Sequence, residues 1–161
     1  MELVGIRVEV PSQTPIVLLR ERGGDRRVLP IFIGSAEAAS IAQALEGMKT
    51  PRPLTHDLMK NVLDELSVDL ERIVVTHLSE GTFYAELHLA ANGTSQLVSS
   101  RPSDAIALAV RGETPIFAEE DVVAEAGYLD DDDDGSEANP DEVVEEFRRF
   151  IDEVSPEDFG A

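Results

Sequence analysis

Arg101-Pro102-Ser103-Asp104-Ala105-Ile106-Ala107-Leu108 and the earlier Arg52-Pro53-Leu54-Thr55-His56-Asp57-Leu58 share one grammar. Each sets an arginine before a proline, then a hydroxyl residue, then an aspartate, then an apolar run with helical spacing. Proline drives the residue before it out of the helical region and suits the first turn of a helix. Thr55 and Ser103 therefore read as capping residues. Asp57 and Asp104 fall in first turns, where the helix dipole favours anions. Two helix starts thus each present a carboxylate, a hydroxyl, backbone N–H groups and a guanidinium. Such an end can bind phosphate, or it can simply be a well-made helix end.

Upstream, Leu3 to Val10 alternates apolar and polar residues as a strand does, and Pro15 to Glu21 and Val28 to Ile33 read as two more. Arg22-Gly23-Gly24-Asp25-Arg26 is the hairpin turn between the last two. With Arg7, Arg20 and Arg27 it forms a basic cluster, either a solvated tip or a polyanion contact. Ser35 to Gly47 predicts a helix capped by Ser35 and stopped by Gly47, and Thr55 to Leu66 a second helix buried through Leu58, Val62, Leu63 and Leu66.

Between the twin motifs, Glu71 to Leu78 and Thr82 to Leu89 flank a two-residue Glu80-Gly81 loop. That register opposes Leu78 to Phe83, Thr76 to Ala85 and Val74 to Leu87, and sets His77 against Tyr84 on the other face. Thr94 to Ser99 comes after an Asn92-Gly93 turn as a third strand. After Asp104 the helix runs to about Arg111, then come a short strand at Pro115 to Ala118 and a short helix at Glu119 to Ala126. The residues thus predict an α+β domain with a mixed or antiparallel sheet built from two hairpins and flanked by helices, over 1–128. An acidic linker at 129–139 and an amphipathic helix and tail at 140–161 complete the chain. Val143, Phe147, Phe150, Ile151 and Val154 form the stripe of that helix, which therefore docks on the body or on a partner.

The 161 residues are 42% hydrophobic with no tryptophan and few other aromatics, so one domain with an aliphatic core is expected. The lack of cysteine excludes disulfides, thiolate metal sites and cysteine nucleophiles. No run of about 18 apolar residues occurs, and the first residues lack a signal-peptide layout, so a cytoplasmic protein without a membrane span is expected. Net charge is −20. Residues 129–161 hold fourteen acidic and two basic residues, leaving 19 acidic and 11 basic in the body. Such a body repels polyanions, so work on phosphate calls for a local basic patch or a bound cation.

The twin motifs offer both. Arg52 and Arg101 can grip phosphate beside Thr55 and Ser103. Asp57 and Asp104, with Glu37 in reserve, can hold a divalent cation that neutralises substrate and acidifies bound water. His56 can transfer a proton. Equally, each aspartate can just complement a helix dipole. His77, Tyr84, Glu86 and His88 share a sheet face, either as a metal site or as a solvated surface.

These segments also carry a resemblance. Val28-Leu29-Pro30-Ile31-Phe32-Ile33-Gly34 with Glu37-Ala38, the Arg52 to Leu58 segment, Gly81-Thr82-Phe83-Tyr84-Ala85, Ser100 to Ala109, and Pro115-Ile116-Phe117 are similar, in order and spacing, to the bifunctional nuclease domain family. The resemblance implies a compact α+β fold, a homo-oligomer, and a nuclease acting on DNA and RNA. The joint reading is a phosphodiester hydrolase with His56, Asp57 and Asp104 as catalytic residues and Mg²⁺ or Mn²⁺ at Asp57, Asp104 and Glu37. The rival is a non-catalytic regulatory or assembly module whose acidic tail binds a partner.

Overall fold

A computed structural model describes residues 1–10 and 12–129, so the acidic linker beyond Leu129 and the amphipathic segment 140–154 lie outside the described residues. Eleven elements occur in order: β1 (Glu2–Glu9), β2 (Thr14–Arg20), β3 (Val28–Phe32), α1 (Ser35–Leu45), α2 (Thr55–Glu65), β4 (Val68–Ser79), β5 (Thr82–Ala91), β6 (Thr94–Ser100), α3 (Pro102–Gly112), β7 (Ile116–Ala118) and α4 (Glu120–Ala126). The class is α+β. The strands form two sheets where the sequence suggests one: an antiparallel β1-β2-β3 and a mixed β6-β5-β4-β7, with β7 parallel to β4. A bridge between Val28 and Tyr128 ties the chain after α4 back to β3.

α3 is the hub. Ala105, Ile106, Ala107, Leu108 and Ala109 are all buried, and the alanines let α1, α2 and strands β4 and β5 approach closely. One aliphatic core joins Val17, Leu19, Leu29 and Ile31 of the first sheet to Ile73, Val75, Ala85 and Leu87 of the second through this helix. No aromatic side chain is fully buried among the described residues, as the composition implies.

Both Glu80-Gly81 and Asn92-Gly93 have positive φ at each residue, the backbone of a tight I′ hairpin turn. The first turn sets Leu78 opposite Phe83 and His77 opposite Tyr84. Beyond them the expected register fails. A bulge between Val75 and His77 consumes Thr76, so Val75 meets Ala85 and Ile73 meets Leu87. The bulge turns Ile73 and Val75 into the core, where strict alternation would have put Val74 and Thr76.

The expected caps move toward the N-terminus, by one position in α1 and α2 and by two in α3. Pro102 takes the first helical place of α3, so extended Arg101 is the cap residue and Ser103 is buried inside the first turn. α2 starts on Thr55 with Leu54 as its cap, and the Asp57 carboxylate accepts the Leu54 N–H at 2.9 Å. Gly34 replaces Ser35 at the head of α1. Gly47 comes just after that helix at φ 62°, as a stop requires.

The largest departure is α2. Its stripe of Leu58, Val62 and Leu66 predicts burial, yet these side chains are 54%, 46% and 66% exposed. The buried side chain of this helix is His56. This polar ring can sit inward because Ser40 of α1 and Asp104 of α3 give it hydrogen-bond partners.

Candidate functional site

The starts of α2 and α3 and the first turns of α1 meet around one arginine. Arg101 Nε donates to Asp104 Oδ2 at 2.7 Å, and its Nη2 donates to Glu37 Oε1 at 2.8 Å and to Asp104 Oδ1 at 3.0 Å. The arginine side chain is nonetheless 65% exposed. Its Nη1 makes no hydrogen bond among the described residues, so that edge of the fork is open to a ligand. On the inner side, His56 Nε2 lies 3.1 Å from Asp104 Oδ1 and His56 Nδ1 lies 2.8 Å from Ser40 Oγ. A neutral ring with its proton on Nε2 donates to Asp104 and accepts from the Ser40 hydroxyl. A charged ring donates to both.

Burial works against the charged form of Asp104, but the hydrogen bonds from Arg101 and His56 outweigh it and hold the carboxyl below its ordinary value. Arg101 is held more basic still by Asp104 and Glu37. The cluster is therefore a fixed cation between two carboxylates, of which that of Asp104 is held ionised, with an imidazole behind them.

Glu37 reaches Arg101 because of Gly34. A Cβ there would sit 2.2 Å from Glu37 Oε2. Gly34→Ala should displace the flexible carboxylate at little cost in stability. The checkable outcome is a partial loss of function, roughly threefold to tenfold, without a change in the unfolding midpoint.

Asp57 lies in a second ion pair. Arg111, at the end of α3, donates through Nε to its Oδ1. This bond, with the Leu54 N–H, depresses the carboxyl pKa. Arg111 also donates to the carbonyls of Ala107 and Ser40 at 2.9 and 3.2 Å. The pair borders a hollow of about 250 Å³ lined by Gln43, Met48, Thr50 and Leu54. The two ion pairs are linked through Ser40, whose hydroxyl faces His56 and whose carbonyl faces Arg111.

The structure thus brings His56, Asp104, Arg101 and Glu37 together and sets Asp57 apart. Thr55 is exposed at the start of α2, and Arg52 is exposed with no side-chain partner among the described residues. Ser40 and Arg111 belong to the network although no motif marks them; only their positions on α1 and α3 do. For a divalent cation, Glu37, Asp104 and His56 are the nearest donor set. The Arg101 guanidinium occupies the space between the carboxylates, and no group of three such side chains able to hold a metal ion occurs among the described residues. These donors do not fit a cation while Arg101 holds them.

The other constellations are quieter. His77 stacks on Tyr84 with centroids 4.3 Å apart, and its Nδ1 lies 3.0 Å from Thr76 Oγ1. Arg27 of the basic hairpin is taken by Glu21 and Glu120, both at 2.8 Å.

Among the described residues three carboxyls are depressed, Glu21, Asp57 and Asp104, and they make stability depend on acid pH. Their folded pKa values lie below the unfolded ones, so their contribution is complete above the unfolded range of about 4 and is lost as pH falls through the folded values. Urea unfolding free energy should hold steady from pH 7 to about 5 and fall steeply below 4. Asp57→Asn should flatten that fall.

The sequence profile described as "Bifunctional nuclease domain" matches residues 17–131. The chain belongs to the bifunctional nuclease domain family. Every residue of the Arg101 cluster lies within the matched span. An uncharacterised protein of Mycobacterium tuberculosis (strain H37Rv) is 47% identical to this family member over 164 residues, covering 100% of this chain and 98% of its own. Bifunctional nuclease 1 of Arabidopsis thaliana is 30% identical over 105 residues, 63% of this chain and 32% of the plant protein. Bifunctional nuclease 2 of the same plant matches over 66% of this chain and 34% of its own, again at 30% identity. This bifunctional nuclease domain spans about a third of its plant relatives, and no helix among the described residues is long and apolar enough to cross a membrane.

Proposed function

We propose that the chain hydrolyses phosphodiester bonds in DNA and RNA at the Glu37–His56–Arg101–Asp104 cluster. One observation carries this reading: Arg101 is held rigidly by carboxylates from two helices while its outer edge stays open to solvent. The nuclease names of the plant relatives support it.

In this reading Arg101 Nη1 meets the phosphate and stabilises the charge that develops on its oxygens, with exposed Arg52 as a second contact. Thr55, exposed at the start of α2, offers a hydroxyl as a further contact to the phosphate backbone. Glu37, whose Oε2 accepts no hydrogen bond among the described residues, takes a proton from the attacking water. His56 holds Asp104 ionised and oriented through Nε2, and the leaving oxygen takes its proton from solvent as its bond to phosphorus breaks. Ser103 and Asp57 act one step back: the first by packing the start of α3, the second by bracing Arg111 against Ser40. A cation such as Mg²⁺ or Mn²⁺ would have to displace Arg101 from its carboxylates.

The test is cleavage of single-stranded DNA, duplex DNA and RNA with Mg²⁺, with Mn²⁺ and with chelator. Asp104→Asn and His56→Ala should each lose about a hundredfold in rate with an unchanged circular dichroism spectrum. Equal cleavage by both variants overturns the assignment.

A second reading is favoured by the charge distribution. Asp57 and Asp104 each have an arginine of their own, as in a purely structural helix start, and the body is acidic. A regulatory or assembly module would then show no nucleic-acid binding even at low salt, where phosphate contacts are strongest.

A further inference from the structure

Leu54, Leu58, Val62 and Leu66 recur every fourth residue and make one exposed apolar ridge along α2. Met59 widens it. Met48 and Leu54 line the same hollow, so exposed Met48 and neighbouring Leu45 extend the ridge onto the end of α1. A surface of this kind, on the order of several hundred Å², marks an interaction site in soluble proteins.

We propose that this ridge is the docking site of residues 140–154 of the same chain. Beyond Leu129 the chain has 32 further residues, in which Val143, Phe147, Phe150, Ile151 and Val154 have the spacing of one helical stripe. Two of the chain's six phenylalanines belong to that stripe, while the core of the body contains no fully buried aromatic. An apolar face exposed among the described residues and an apolar stripe elsewhere in the same chain are each other's simplest cover.

Dimensions agree. A 15-residue helix is about 22 Å long, and the ridge from Leu54 to Leu66 runs about 18 Å. Residues 130–139 span up to about 33 Å when extended. A body of this size has a radius of gyration of about 14 Å, so a linker of that length reaches somewhat more than about a quarter of the way round it.

Charge agrees as well. Lys49, Arg52 and Lys60 flank the ridge and balance Glu46, Asp64 and Glu65, with Lys60 paired to Asp64. The ridge is therefore locally neutral on an acidic body, and a segment rich in aspartate and glutamate meets little repulsion there. The alignment with the M. tuberculosis protein runs through this segment, since it covers 100% of the chain.

The experiment uses the full chain, whose lack of cysteine makes labelling clean. Val62→Cys combined with Phe150→Cys, treated with a short bis-maleimide, should give an intrachain cross-link of monomer mass. Thr94→Cys with Phe150→Cys, on the far edge of the second sheet, should give none. The only tryptic sites beyond Leu129 are Arg148 and Arg149. Leu58→Asp with Val62→Asp, both at exposed positions that do not support the core, should raise cutting there at least tenfold with an unchanged circular dichroism spectrum. Cross-linked dimers from Val62→Cys alone would assign the ridge to a second copy and overturn the proposal. So would a Phe150→Cys link to Asp25→Cys on the basic hairpin, or cutting rates that do not change.

Discussion

Arg101→Ala is expected to lower the cleavage rate by about a hundredfold to a thousandfold, the range found when a preorganised donor to a developing charge is removed. Its stability should change by less than about 1 kcal/mol, because an ion pair this exposed is screened by solvent. That split between rate and stability is the discriminating result. A guanidinium that served only to complete the head of α3 would give the reverse: a lower unfolding free energy with an unchanged rate per folded molecule.

Arg101→Lys sharpens the same expectation. Arg101 works as a fork, with Nε and Nη2 on two carboxylates and Nη1 outward. An ammonium offers one point charge on a flexible stem and cannot hold Asp104 and Glu37 while also presenting an ordered pair of N–H groups. Lysine should therefore rescue less than about tenfold of the lost rate, although the charge is restored. In Arg101→Ala the affinity for single-stranded DNA, measured against salt, should lose somewhat less than one unit of logarithmic slope, as one phosphate contact is removed. Full rescue by lysine would show that charge alone matters and that the fork has no role.

Range decides how much of this was legible in the sequence. Alternation, turn residues and proline placement act over a few residues, so nearly every element is readable along the described chain, and so are the two glycine turns. The caps slipped because proline and aspartate compete with serine and threonine for the same place. The register slipped at Thr76 because a bulge is chosen by which side chains the core wants, a tertiary preference that alternation does not encode. The site is a mixed case. Arg101 and Asp104 belong to one motif and meet within one turn, so that pair could be read in advance. Glu37 and Ser40 come from α1, and only packing brings them to His56 and Arg101. Nor could spacing show that Asp57 turns to Arg111 while its neighbour His56 turns inward: adjacent residues on a helix point about 100° apart, and which of them faces α3 depends on how α2 lies on it. The exposed ridge is the reverse case, since a strong stripe shows that a face needs cover but not what covers it.

The second large effect concerns that turn to Arg111. Asp57→Ala is expected to destabilise the fold by roughly 2–3 kcal/mol, somewhat less than the loss of a partner in a fully buried pair because Asp57 itself is partly in water. The asymmetry of the pair makes the expectation specific. The Arg111 side chain is only 9% exposed and that of Asp57 is 34% exposed. Removing the carboxylate strands a buried guanidinium that can turn only to the Ala107 and Ser40 carbonyls. It also removes the acceptor for the Leu54 N–H at the head of α2. Removing the cation instead, by Arg111→Met, leaves an aspartate that can hydrate and still accept that N–H, while the methionine keeps much of the apolar contact. Arg111→Met should cost roughly half as much as Asp57→Ala, and the double variant should cost less than the sum of the two. Urea denaturation of the three variants at pH 7 measures all of these. Since Arg111 also braces the carbonyl of Ser40, both single variants should lower the cleavage rate by about tenfold even where the protein stays folded. A double variant whose cost equals the sum, or Arg111→Met costing more than Asp57→Ala, would mean that the buried guanidinium is held by the carbonyls and not by Asp57.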